Sequence, residues 1–167
     1  MFEYIDSINS EKKNLKVVIF GPYKEGGFKR LEQLKEHLIS RGYTQSNLVE
    51  ALSDPPGSSR LSEHEFELAK SEYWITLADV SLYVFYKDLR RGSVSIEIKE
   101  LADHAIHRVP CTSFFIESGE PWESLEWGLL DRMKKDYARF DTDDDLFALA
   151  EKACLHHLVE DDCIQNI

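Results

Sequence analysis

Positive charge is scarce in this sequence: 20 Lys and Arg stand against 31 Asp and Glu over 167 residues, a formal net charge of -11. Such a balance repels a phosphate backbone, so general nucleic-acid binding is not expected. A local basic pair such as Arg90 and Arg91 still suits a small anion, because a pocket's field depends on nearby charge more than on the total. Long apolar runs are missing, and no membrane-spanning segment is expected. Residues 1–13 alternate charges with single apolar residues and lack the continuous apolar core of a secretory signal. Cysteine is sparse: Cys111, Cys154 and Cys163 form no C-x-x-C pair and no zinc-like spacing, and are expected as reduced thiols in a cytoplasmic protein. Internal repeats, low-complexity tracts and dividing linkers are absent too. Residues 1–167 are therefore expected to form one domain, with 1–14 as a candidate for a loosely attached N-terminal segment.

What the chain does contain is an alternation of buried-strand and amphipathic-helix patterns. The apolar, β-branched run Leu15 to Phe20 stops at Gly21-Pro22 and reads as a strand. Phe28, Leu31, Leu34, Leu38 and Ile39 recur at helical spacing, and Gly42 predicts the stop of a helix over 27–41. Leu48 to Leu52 reads as a weaker strand before the loop signal of Asp54-Pro55-Pro56-Gly57-Ser58-Ser59. Ser62 with Glu65 matches a capping box, and Phe66, Ala69, Tyr73 and Leu77 predict the apolar face of the next helix. Val80 to Tyr86 is continuously apolar or aromatic except for Ser81, as suits a strand covered on both faces. A helix opening at Gly92-Ser93 carries Val94, Ile98, Leu101 and Ala105 and is expected to end at Pro110. Cys111 to Ile116 reads as a strand, 122–133 is ambiguous, and a short strand around Tyr137 to Phe140 precedes a helix from about Asp143. The pattern implies an α/β fold with a mostly parallel sheet, whose ligands gather at the carboxyl ends of the strands.

Two strand ends meet at that edge: Phe20-Gly21-Pro22-Tyr23 and the stretch from Tyr86 to Ser93. Gly21 would let a ligand approach the backbone, and free N–H groups at the Gly92-Ser93 helix start would hold a phosphate or carboxylate. Gly-Pro and Gly-Ser are equally ordinary turn and cap residues. Helical geometry puts Glu97 at the margin of the stripe of Val94, Ile98 and Leu101, partly buried, whereas Glu100 turns towards solvent. A carboxylate on the first turns of a helix at such an edge can attack or stabilise the anomeric carbon of a ribosyl group as its base leaves. The competing reading of Glu97 is a helix-dipole or salt-bridge glutamate beside Arg90 or Arg91.

Lys16-Val17-Val18-Ile19-Phe20-Gly21-Pro22-Tyr23, Ala78-Asp79-Val80 and Gly92-Ser93 with Glu97 resemble the nucleoside 2-deoxyribosyltransferase-like superfamily, over roughly residues 16–116. The resemblance implies a flavodoxin-like three-layer fold with about five strands and cleavage of an N-ribosyl bond in a nucleoside, nucleotide or NAD-like molecule. It implies Glu97 as the catalytic group at the sugar, with Gly21, Pro22 and Tyr23 bordering the nucleotide and Gly92 and Ser93 in the turn before the glutamate; Tyr86 and Arg91, from the second strand end, complete the expected substrate-binding set. The family usually carries an acidic residue before its Gly-Thr and a glutamate four positions after that glycine. Here Arg91 precedes Gly92 and Glu97 lies one position farther along, a departure that bears on transferase activity in particular. Arg90 and Arg91 fit an anionic nucleotide or, equally, a solvated loop pair. A related resemblance is to TIR-like NAD hydrolases, for which Ser93, Ser95, Glu97 and Glu100 permit several alignments. The alternatives from other classes are a noncatalytic nucleotide-binding or sensor module and a protein-interaction domain.

Asp103, His104 and His107, and separately His156 and His157, could contribute to a metal site but have no third partner in the pattern, so neither a metal nor a cofactor is expected. Cys111 could serve as a nucleophile only if His37 or another base reached it, and a buried structural thiol is the commoner outcome. Ile96, Trp122 and Trp127 are candidates for a homodimer surface.

Overall fold

The buried apolar runs become the strands of a sheet and the 3.6-residue patterns become helices stacked on its two faces. The computed structural model describes residues 2–24, 26–89 and 94–160. The helix α1 (Phe2–Asn14) leads into β1 (Val17–Phe20), α2 (Gly27–Ser40) and β2 (Ser46–Leu48). Then come α3 (Glu63–Leu77), β3 (Val80–Phe85), α4 (Val94–His104), β4 (Thr112–Glu117), α5 (Ser124–Met133), β5 (Ala138–Phe140) and α6 (Asp143–Glu160). All pairings are parallel, in the order β2-β1-β3-β4-β5, and Val17 to Phe20 lie opposite Val80 to Tyr83 in register.

Because side chains alternate along each strand, the sheet divides its apolar residues between two cores. Val18, Phe20, Tyr83, Phe85, Phe114 and Ile116 face one way, where α3, α4 and α5 supply Ile75, Ile98, Leu101, Leu129 and Leu130. Val17, Ile19, Val80, Leu82, Val84 and Phe115 face the other, against Leu31, Leu34 and Leu38 of α2 and Leu146, Ala150 and Cys154 of α6. Both faces are covered, which is why β1 and β3 read as unbroken apolar runs. This is a flavodoxin-like three-layer α/β fold. The strand order reverses between β1 and β3, and the crevice above their carboxyl ends is the place where such sheets take ligands.

Several local expectations are met and others move. Ser62 and Glu65 form the capping box: the Glu65 N–H donates to Ser62 Oγ at 3.4 Å and the Ser62 N–H to Glu65 Oε2 at 3.0 Å. Residues 2–14 form a helix, joined to the body by a hydrogen bond from Gln45 Nε2 to the Lys13 carbonyl at 3.0 Å. The weak second strand lies earlier, at Ser46–Leu48, and Val49–Ala51 tighten into a 3-10 turn closed by the Leu52 N–H on the Val49 carbonyl. The helix expected to reach Pro110 ends at His104, and Ile106–Cys111 is a 3-10 turn. The ambiguous stretch contains α5, whose start is fixed when the Glu123 N–H donates to Glu126 Oε2 at 2.8 Å. Cys154 is a buried free thiol, its pKa pushed up to about 12 by burial and by the charge of Glu151. Cys111 is buried at the end of the 3-10 turn before β4, and Cys163 lies outside the described residues. Among the described residues no helix is long and apolar enough to cross a membrane.

Candidate functional site

The site is assembled from β1, β3, β4, α3, α4 and the strap after β1, which the fold brings to the β1/β3 crevice on the face covered by α3 and α4. At its base the ring of Phe20, the last residue of β1, stacks on Tyr83 of β3 with centroids 4.6 Å apart and planes 9° from parallel. Tyr83 in turn lies over Phe114 of β4 at 5.2 Å. Glu97, on the first turns of α4, is buried against this floor with 3% of its surface exposed. Ser71 of α3 donates its hydroxyl to Glu97 Oε1 at 3.3 Å. Tyr23, half-buried in the strap after β1, completes the group and donates its hydroxyl to the Ile19 carbonyl at 3.0 Å.

The electrostatics follow from the burial of the carboxylate. Burial pushes the pKa of the Tyr83 phenol well up, and the charge of Glu97 pushes it further. Tyr23 is raised first by burial and then by Glu97, more than nearby backbone N–H groups of Val49 and Glu50 lower it. Both phenols therefore stay neutral and can act only as hydrogen-bond donors or acceptors, not as anions. The Tyr83 hydroxyl is fully buried and has no hydrogen-bond partner among the described residues. Such a group gives up hydration without recovering it, the kind of cost that proteins carry at sites built for something other than stability.

The residues named from sequence are distributed unevenly. Glu97 and Tyr23 come together. Gly21 and Pro22 lie at the same strand end, buried, but a Cβ on Gly21 would come within 2.9 Å of the Leu31 side chain. The room left by that glycine is thus taken by α2. Tyr86 sits on the opposite face of the sheet, its ring 3.9 Å from the Arg30 guanidinium carbon and edge-on to Phe140. Arg91, Gly92 and Ser93, with Arg90, lie outside the described residues.

Two members of the cluster, Ser71 and Tyr83, are absent from the sequence-derived set. The stripe expected to face the core from α3 was Phe66, Ala69, Tyr73 and Leu77, but Leu77 is 42% exposed and the other three are half-buried. The buried face is instead Ser71, Ile75 and Ala78 at the i, i+4, i+7 spacing, with small residues at both ends that let α3 approach its neighbours closely. That spacing was a readable signal, hidden because serine does not count as apolar.

A cavity of about 710 Å³ opens at the other end of the sheet, where Val80, Ser113 and Ala138 begin or nearly begin their strands and Lys152 approaches from α6. Cys111, His156 and His157 line it, whereas Glu97, Gly21, Pro22, Tyr23 and Tyr86 do not. Among the described residues no group of three or more His, Cys, Asp or Glu is arranged to hold a metal ion.

The class that this architecture defines is the flavodoxin-like α/β fold with a buried carboxylate at its switch point. Within that class the fold is similar to the CMP N-glycosidase BcmB of Clostridium botulinum, with a TM-score of 0.54 and 16% identity over 82% of this chain and 98% of that one. It is also similar to a conserved protein from Enterococcus faecalis V583, with a TM-score of 0.50 and 11% identity over 83% and 98% of the two chains. No protein-family model matches the sequence, and no curated protein does. The two structural likenesses are likenesses of fold.

Proposed function

We propose that this chain is a nucleotide N-glycosidase-like enzyme that breaks the bond between a ribosyl C1′ and a base nitrogen, with Glu97 at the anomeric carbon. The observation that carries the reading is the placement of Glu97: a carboxylate 3% exposed, on the first turns of α4, at the crevice between β1 and β3. In water a carboxylate offers a developing oxocarbenium ion little, because solvent screens it; in a buried site of low effective dielectric the same charge acts several-fold more strongly. As the C1′–N bond lengthens and its electron pair leaves with the base, the carboxylate either bonds to C1′ or balances its positive charge. Water then completes hydrolysis by adding hydroxide to C1′, its remaining proton going to the departed base. Support for a nucleotide substrate comes from the shared fold with a CMP N-glycosidase. The anion-holding role of Arg91, Gly92 and Ser93 belongs to this reading and rests on the sequence pattern.

The test is incubation with CMP, dCMP, cytidine, other nucleotides and NAD, followed by chromatography for released base. Release from at least one nucleotide is expected, and Glu97→Gln should lower it by about 10³-fold or more while the protein stays folded. Undiminished release from the Gln variant would overturn the assignment of Glu97. Calorimetric binding of a nucleotide without any release from the wild-type protein would favour the noncatalytic sensor instead.

A further inference from the structure

We infer that Ser71 is a positioning residue for Glu97: from α3 its hydroxyl holds Oε1 of the carboxylate and so fixes the direction in which the second oxygen is presented to the sugar. The inference deepens the reading above and rests on it. Ser71 and Glu97 are both buried, at 5% and 3% exposure, and their 3.3 Å hydrogen bond spans 26 positions of sequence between two different helices. A hydroxyl in the middle of a helix ordinarily turns back to its own backbone, as Thr76 does on the same helix by donating to the Glu72 carbonyl at 2.9 Å. Ser71 donates across the helix interface to a carboxylate instead.

Packing does not explain a serine at this position. Its neighbours on the buried face of α3 are Ile75 and Ala78, and an alanine would fit the same space without a buried hydroxyl to satisfy. A glutamate, by contrast, has a broad terminal torsion, and a carboxylate free to rotate about it meets C1′ in few of its orientations. A donor on one oxygen restricts that rotation, and orientation of this sort governs rate more than binding.

Ser71→Ala and Ser71→Thr are compared with the wild-type protein in two measurements: base release from the best nucleotide of the panel, and titration of the Glu97 carboxyl followed by NMR in protein labelled with ¹³C-glutamate. The signal of Glu97 is identified by its loss in Glu97→Gln. For Ser71→Ala, kcat should fall by about tenfold to a hundredfold with KM changed less than about twofold. The Glu97 midpoint should rise by about half a unit to one unit, because a donor to the charged form is gone. Ser71→Thr keeps the hydroxyl and should restore both values. An unchanged kcat and an unchanged midpoint in a folded Ser71→Ala protein would overturn the inference. So would a lower melting temperature with neither value moved, since that is the behaviour of a structural contact. If the wild-type protein releases no base from any substrate, the titration decides alone: a shifted midpoint retains the contact while the enzymatic reading falls, and an unshifted one removes both.

Discussion

Glu97 and Glu117 stand at the same carboxyl edge of one sheet, on opposite faces, and are kept there in opposite ways. Glu117, the last residue of β4, accepts from Arg30 at 3.1 Å and from the Lys87 N–H at 2.8 Å. The same guanidinium reaches Asp143 at the start of α6 at 2.7 Å and lies over the Tyr86 ring. Burial by itself would lower the pKa of Arg30, but its hydrogen bonds to Asp143 and Glu117 outweigh burial and raise it. Glu97 takes a neutral hydroxyl from Ser71 and lies close to two neutral phenols. The first arrangement matches charge with charge where side chains are still 18–34% exposed, and ties α2, β4 and α6 together. The second holds a carboxylate in a buried place, with the Ser71 hydroxyl as a donor on one oxygen, where a charge acts more strongly than it does in water.

Substitutions on the Arg30 side should therefore act on stability. The largest effect is expected at Gly27, the first residue of α2, where a Cβ would run into the Pro22 carbonyl, which is backbone and cannot swing aside. Gly27→Ala should cost about 3 kcal/mol, at the upper end for overpacking, and lower the melting temperature by roughly 6–12 °C. A melting temperature within about 2 °C of wild type would show that the α2 start has room to move. Next comes Arg30→Met, which leaves Glu117 and Asp143 facing each other's charge without the guanidinium. Because the group is partly exposed, the loss is set at about 1–2 kcal/mol rather than the larger figure for a buried pair. The difference from wild type should narrow in 1 M salt, where the Debye length is about 3 Å, and a deficit that ignores salt would mean that lost packing on Tyr86 is responsible.

How far the sequence carries depends on which face of an element decides the outcome. The layered architecture was legible because the runs at Val17–Phe20 and Val80–Phe85 are apolar on both faces and so need no assignment of faces. The same property hid the site. In a continuous apolar run the period of two is invisible, and nothing in Val80 to Tyr86 says which tyrosine points to which core. Tyr86 was the one singled out, since it lies at the strand end, and it packs under Arg30; Tyr83, three positions earlier and therefore on the other face, lies beneath Glu97. Glu97 itself was visible as a charge at the margin of an apolar stripe. Its full burial was not, because that depends on α3, whose core face was assigned half a helix away from Ser71, Ile75 and Ala78. Long-range contacts such as Ser71 to Glu97 leave no trace in local periodicity.

The sharpest form of the comparison is a substitution expected to act with the opposite sign. Tyr83→Phe keeps the ring stacked between Phe20 and Phe114 and deletes only a buried hydroxyl that has no partner among the described residues. Removing an unsatisfied polar group while keeping the shape of the side chain should stabilise the protein by about 1 kcal/mol and raise the melting temperature by roughly 2–4 °C. The urea midpoint should rise with an unchanged slope, since the surface exposed on unfolding is the same. With the Tyr83 phenol pushed well above its ordinary value, the gain should also be the same across the neutral pH range, because the group loses no charge there in either state. A loss of stability in this variant would mean that the hydroxyl is satisfied in the folded protein, and the cluster around Glu97 would then have to be counted with the Arg30 network as part of what holds the fold.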